Sequence, residues 1–170
     1  MTAQDPANGL ACAGDEAAGE VATALERARG PRADLRASMD ALERAAAAPA
    51  PHRLEQWAMA VHDALADMAA AFERHIAVTE GPEGLLAEIE QTEPRLVTPA
   101  SRLVEEHARL RREISETLDL AREAASRTDH GAADDCRRHV TALMGDSARH
   151  RQAGSDLVYK AYAVDIGAGD

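Results

Sequence analysis

Residues 53–80 read RLEQWAMAVHDALADMAAAFERHIAVTE, and this stretch decides the fold. Leu54, Trp57, Val61, Leu65, Met68 and Phe72 recur in steps of three and four, the spacing that lines one face of a helix. His75 continues the seam by another step of three, so an imidazole is expected among the buried apolar side chains. Gly81-Pro82 stops the helix. Upstream, a first helix opens at Asp15, a good N-cap, with a seam of Val21, Leu25, Ala28, Leu35, Met39 and Leu42. Gly30-Pro31 is expected to kink this helix, although the seam keeps its phase across the step. Residues 45–51 make the turn between the two.

Downstream, residues 81–99 hold Leu85, Leu86 and Ile89 and form a connector with room for one short helix. A third helix opens near Thr98-Pro99, with proline in the first turn, and carries Leu103, Leu110, Ile114, Leu118 and Ala121. After a turn over 126–131, a fourth helix from about Ala132 carries Val140, Leu143, Leu157 and Ala161. No Asn-Gly or Asp-Gly turn links two runs of alternating β-formers. The expected architecture is all-α: an up-down-up-down four-helix bundle with a kinked first helix and a connector between helices 2 and 3. The bundle spans 14–165, between flexible tails at 1–13 and 166–170.

Composition narrows the function. A length of 170 residues fits one domain. The net charge of −11, from 30 acids against 19 bases, argues against a nucleic-acid partner. No apolar run approaches the roughly 20 residues of a membrane span, and the first twenty residues lack Lys and Arg, so no secretory signal is expected. Cys12 and Cys136 are too few for a disulfide framework and form no CxxC pair. The cytoplasm is the expected compartment. The 39 alanines and only four aromatics favour closely packed helices over a β-sandwich, because alanine has high helix propensity and little bulk.

His75 has counterparts on two other seams. His107 sits between Leu103 and Leu110, and His150 lies seven residues from both Leu143 and Leu157. The first helix offers Arg32, four beyond Ala28 and three before Leu35. At about 1.5 Å per residue, all four lie roughly 22 to 33 Å along the bundle, within two turns of a common layer. Four interior polar groups need partners, since each buried and unpaired group costs about 1–3 kcal/mol. The plainer reading is three separate core histidines, each bonded to a carbonyl or to Glu73, Glu105, Glu106 or Asp156. His62 and His139 flank their seams, and His52 and His130 fall in turns; these four read as surface residues.

The order and spacing of three stretches resemble the hemerythrin-like, or HHE cation-binding, family. They are Phe72-Glu73-Arg74-His75 through Thr79-Glu80, Glu106-His107-Ala108-Arg109-Leu110, and His150 through Asp156-Leu157-Val158-Tyr159. The resemblance covers about residues 30–163. It implies a four-helix bundle holding two iron atoms through histidines and bridging carboxylates, for oxygen binding, redox sensing, iron handling or small-molecule oxidation. Carried onto this sequence, the metal ligands are His75, Glu80, His107, His150 and Asp156. The departures are specific. Arg32 stands where the family has its first-helix histidine, and Thr79 and Gly154 occupy the positions four residues after His75 and His150. Glu80 and Asp156, five and six on, point about 140° and 240° from the histidine face unless the backbone turns them. The third helix has Arg111 in place of a second histidine.

The leading expectation is therefore a cytoplasmic hemerythrin-like protein using one or two non-haem iron ions for oxygen or redox chemistry on a small molecule. An oxidase or oxygenase is its enzymatic form. Arg32 would hold an anionic oxygen species or a substrate carboxylate, and Tyr159 would contact substrate. The rival expectation is a metal-free binding or regulatory bundle in which Arg32 pairs with Glu80, Glu73 or Asp156 and replaces the metal charge. Haem or a small organic ligand is a weaker third. The plainer reading of Tyr159 and Tyr162, three apart near the end of the fourth helix, is packing with a hydroxyl at the rim, with a redox or substrate contact as the sharper one; Cys136 reads as a small buried thiol beside His139 and Leu143. No P-loop, dinucleotide fingerprint, GxSxG elbow or HExxH occurs.

Overall fold

A computed structural model describes the backbone of residues 7–50 and 52–163, and the side chains of 23–161 other than 24 and 51. In chain order it comprises α1 (Ala7–Ala47), α2 (Leu54–Glu80), α3 (Leu85–Thr92), a 3₁₀ turn (Pro94–Leu96), α4 (Val97–Arg127) and α5 (His130–Ala163). No strand occurs among the described residues.

Helix α1 begins at Ala7 rather than at Asp15, so 7–13 is helix where a tail was expected. The expected tails over 1–6 and 166–170 lie outside the described residues, as do the side chains of Cys12, Val21 and Tyr162. Helix α1 is continuous through Pro31. Proline removes one backbone donor, but Ala28, Met39 and Leu42 are buried on both sides of it.

Helix α1 packs on α2, α2 on α4 and α4 on α5, and α1 also touches α5. The main core takes Met39 and Leu42 from α1, Trp57, Val61, Leu65, Met68 and Phe72 from α2, Leu110 and Ile114 from α4, and Val140 and Leu143 from α5. Ala58, Ala121, Ala124 and Ala133 are buried between these helices, where a methyl group lets neighbouring axes approach. Trp57 Nε1–H donates to the Ala46 carbonyl at 3.3 Å, and the Arg137 guanidinium lies 4.2 Å from the centre of its ring.

The connector builds a second core from Leu85, Leu86, Ile89 and Leu96 with Ala100, Leu103 and Leu157. Gly84 makes its turn possible. Its N–H donates to the Gly81 carbonyl at 2.7 Å, and a Cβ there would lie 2.5 Å from the Thr79 carbonyl oxygen. Between the two cores lies the polar layer described below.

The last turn is shorter than expected. Asp129 Oδ1 accepts the Ala132 N–H at 2.8 Å, so α5 starts at His130 instead of near Ala132. Thr128 alone absorbs the left-handed conformation that ends α4 (φ 52°). A β-branched residue is strained there and glycine is not. Thr128→Gly is expected to raise stability by about 0.5–1 kcal/mol, read as a higher denaturant midpoint at constant m-value. A lower midpoint would show that Thr128 holds this turn by some other means.

Candidate metal centre

Three helices deliver one imidazole each to the interior layer. His75 on α2 follows Phe72 by three residues, His107 on α4 falls between buried Leu103 and Leu110, and His150 on α5 follows buried Leu143 by seven. They are 8%, 2% and 6% exposed. Their nearest nitrogen atoms all lie within 4.8 Å of one another. Ring centroids are 5.3 Å apart for His75 and His107, 6.0 Å for His75 and His150, and 4.6 Å for His107 and His150, all in edge-on arrangements. Phe72 packs against all three rings.

Carboxylates stand behind two of the rings. His107 Nδ1–H donates to Glu80 Oε1 at 2.5 Å and His150 Nδ1–H donates to Glu106 Oε2 at 2.9 Å. A carboxylate only accepts, so each pair places a ring proton on Nδ1 and makes Nε2 the nitrogen available to a metal. His107 Nε2 is buried without a hydrogen-bond partner, and so is His75 Nδ1. Burial pushes the His75 imidazole down to about 3 and the His107 imidazole down to about 4, with neighbouring histidines adding to the shift. Both rings are therefore neutral at pH 7, the state in which imidazole binds a metal.

The layer opens on a cavity of about 370 Å³, lined by the three histidines, by Arg32 from α1, and by Leu85 and Leu86 from the connector. Arg32 is half-buried, and desolvation lowers its pKa. It has no hydrogen bond or ion pair among the described residues, and the expected carboxylate partners are engaged elsewhere. Glu73 forms two bonds with Arg111, at 2.6 and 2.8 Å. Glu80 is on His107, and Asp156 accepts from Gln152 Nε2 at 2.7 Å on the surface. The Arg32–carboxylate network is not formed.

Several expected site residues stand elsewhere. Glu80 reaches the layer from the end of α2, but behind an imidazole rather than among the ligating atoms. Asp156 is exposed because α5 runs unbroken past Gly154, so no distortion returns it to the His150 face. Tyr159 is 73% exposed, which removes it from the site. His139 is also exposed, its Nδ1 bonded to the Asp135 carbonyl, and does not share the inward side with buried Cys136. His52, His62 and His130 lie outside the layer.

Of the carboxylates offered as histidine partners by the plainer reading, Glu106 takes that place, on His150, while Ser147 went unassigned in the sequence. Glu106 immediately precedes His107, a step of about 100° that aims it at α5. Ser147, three residues before His150 on the inward face, is buried with an unpartnered hydroxyl and lines the cavity. The steps of four, three, four and three through Leu143, Ser147, His150, Gly154 and Leu157 carried that signal.

Comparison with protein-family models, with curated proteins and with solved structures returned no match. The site is therefore judged on its own chemistry. Among the described residues no helix is long and apolar enough to cross a membrane.

Proposed function

We propose that this chain is a hemerythrin-like up-down-up-down bundle, bent at Pro31, whose interior layer holds a single divalent transition-metal ion on His75, His107 and His150. One observation carries the reading: three imidazoles from three helices present nitrogen atoms within 4.8 Å of one another, and two of their buried nitrogens have no other partner. Interior polar atoms left bare cost about 1–3 kcal/mol each, and a shared ion removes that cost. The pair of ions implied by the family resemblance does not fit. It needs bridging carboxylates, whereas Glu80 backs His107 and Asp156 faces solvent.

Three imidazoles suit iron, zinc or copper, and iron remains the reading carried from the sequence. Bound there with an open position, such an ion supplies Lewis-acid or redox chemistry to dioxygen or a small molecule. The residues of the chain do the rest. Glu80 and Glu106 hold two rings in the tautomer that faces Nε2 inward. Phe72, Leu103 and Leu110 line the layer and keep bulk water from it. The reading places the protein in the cytoplasm, with a small molecule rather than nucleic acid as its partner.

Metal analysis of the purified chain tests the reading directly. The backing carboxylates give a finer check: Glu80→Gln and Glu106→Gln should each weaken metal affinity about 10–100-fold without unfolding the protein. Affinity unchanged in both variants would mean that the ion is held elsewhere.

A further inference from the structure

The cavity beside the histidines has a composition unlike the rest of the chain. The protein carries 30 acids against 19 bases, yet no Asp or Glu lines this cavity among the described residues. Its ionisable lining consists of Arg32, Arg36 and Arg151 with the three histidines. Arg32 is the decisive group. It is half-buried, it has no counter-ion among the described residues, and it lines the cavity. A second polar group points to the same occupant: Ser147 is 7% exposed and its hydroxyl, which can donate to an anion, has no partner. The remaining wall is hydrocarbon, with Met39, Met68, Leu85, Leu86 and Leu157 prominent. A volume of about 370 Å³ equals roughly a dozen water molecules at about 30 Å³ each, the size of a ligand of about ten non-hydrogen atoms.

We infer that the cavity binds a small amphipathic carboxylate, its head on Arg32 and Ser147 beside the imidazoles and its hydrocarbon body against the leucines of the connector. Arg32 offers a forked pair of N–H donors that matches a carboxylate. The inference rests on the proposed metal centre for the chemistry at the head, but the Arg32 contact operates with or without an ion.

Calorimetric titration with octanoate, octan-1-ol and octylammonium, on metal-stripped and iron-loaded protein, tests this. Octanoate should bind at least about tenfold more tightly than octan-1-ol, and octylammonium should not bind. Arg32→Gln should remove the octanoate advantage while leaving octan-1-ol binding and metal content at wild-type values. Arg32→Lys should retain part of the advantage, which separates a charge contact from a packing defect. Equal binding of octanoate and octan-1-ol to the wild type, or an octanoate advantage that survives in Arg32→Gln, overturns the inference. If the wild-type protein takes up metal but shows no octanoate advantage, the carboxylate site alone falls. If the chain takes up no metal but keeps the octanoate advantage, the metal centre alone falls.

Discussion

Expressed with added iron and purified without chelator, the wild-type chain should carry about one metal ion per molecule, and His107→Ala less than about a tenth of that. His107 is the most demanding of the three ligands to lose. It is 2% exposed, its Nε2 has no partner in the protein, and its Nδ1 is already committed to Glu80. Replacing it leaves two imidazoles, and interior water must then complete the coordination in a layer walled by Phe72, Leu103 and Leu110. Altering only a residue behind a ligand typically costs 10–100-fold in affinity, so removing the ligand itself should exceed about 100-fold. His75→Ala and His150→Ala should behave alike, because each comes from a different helix and neither has a substitute nearby. Two ions per wild-type chain would restore the two-metal reading. Metal content that is trace in the wild type and unchanged in all three variants would end the proposal.

Acid should destabilise the metal-stripped protein steeply between about pH 6.5 and pH 4. Folding holds His75 down to about 3 and His107 down to about 4, against an ordinary value of 6.5 in the unfolded chain. Burial is the largest cause of both shifts. As pH falls below 6.5 the unfolded chain takes up protons that the folded chain refuses, so the unfolding free energy decreases with falling pH. The contribution of these rings to stability is fully present above pH 6.5 and is lost progressively towards pH 3 to 4. Each pH unit between folded and unfolded pKa corresponds to about 1.4 kcal/mol. The loss is therefore on the order of several kcal/mol, comparable with the whole stability of a small domain. Denaturant midpoints measured across this range should fall in the wild type and much less in a His75→Leu His107→Leu variant. Parallel profiles for the two proteins would place the acid sensitivity in the carboxylates instead. Bound metal should shift the wild-type profile to lower pH, since the ion and the proton compete for the same lone pairs.

How far the site could be read from the sequence differs from one residue to the next. His75, His107 and His150 were legible because each is in phase with its own apolar seam, and a seam reports burial by itself. Their common height followed from counting residues from the turns. Asp156 was misplaced because the family pattern suggested a ligand where the local turn angle argued against one, and the turn angle proved the better guide. Tyr159 fell to the same cause: it follows Leu157 by two residues, about 200° around the helix from that buried face. Glu80 was half right, since the end of α2 does bring it to the layer, but which side of His107 it meets depends on α4. Glu106 was one of four acids offered as partners, and only the packing of α4 on α5 singles it out for His150; Ser147 escaped notice because it is a small residue on its seam.

Local periodicity determined the all-helical architecture, the buried face of each helix and the three interior imidazoles, because those depend on steps of three and four within one segment. The tertiary structure alone decided that Glu80 and Glu106 stand behind the rings and that, among the described residues, Arg32 has no carboxylate partner and no acid lines the cavity. Those facts depend on how far each helix is rotated and slid against its neighbours. That arrangement is set by packing between segments distant in the chain, and no spacing within one helix encodes it.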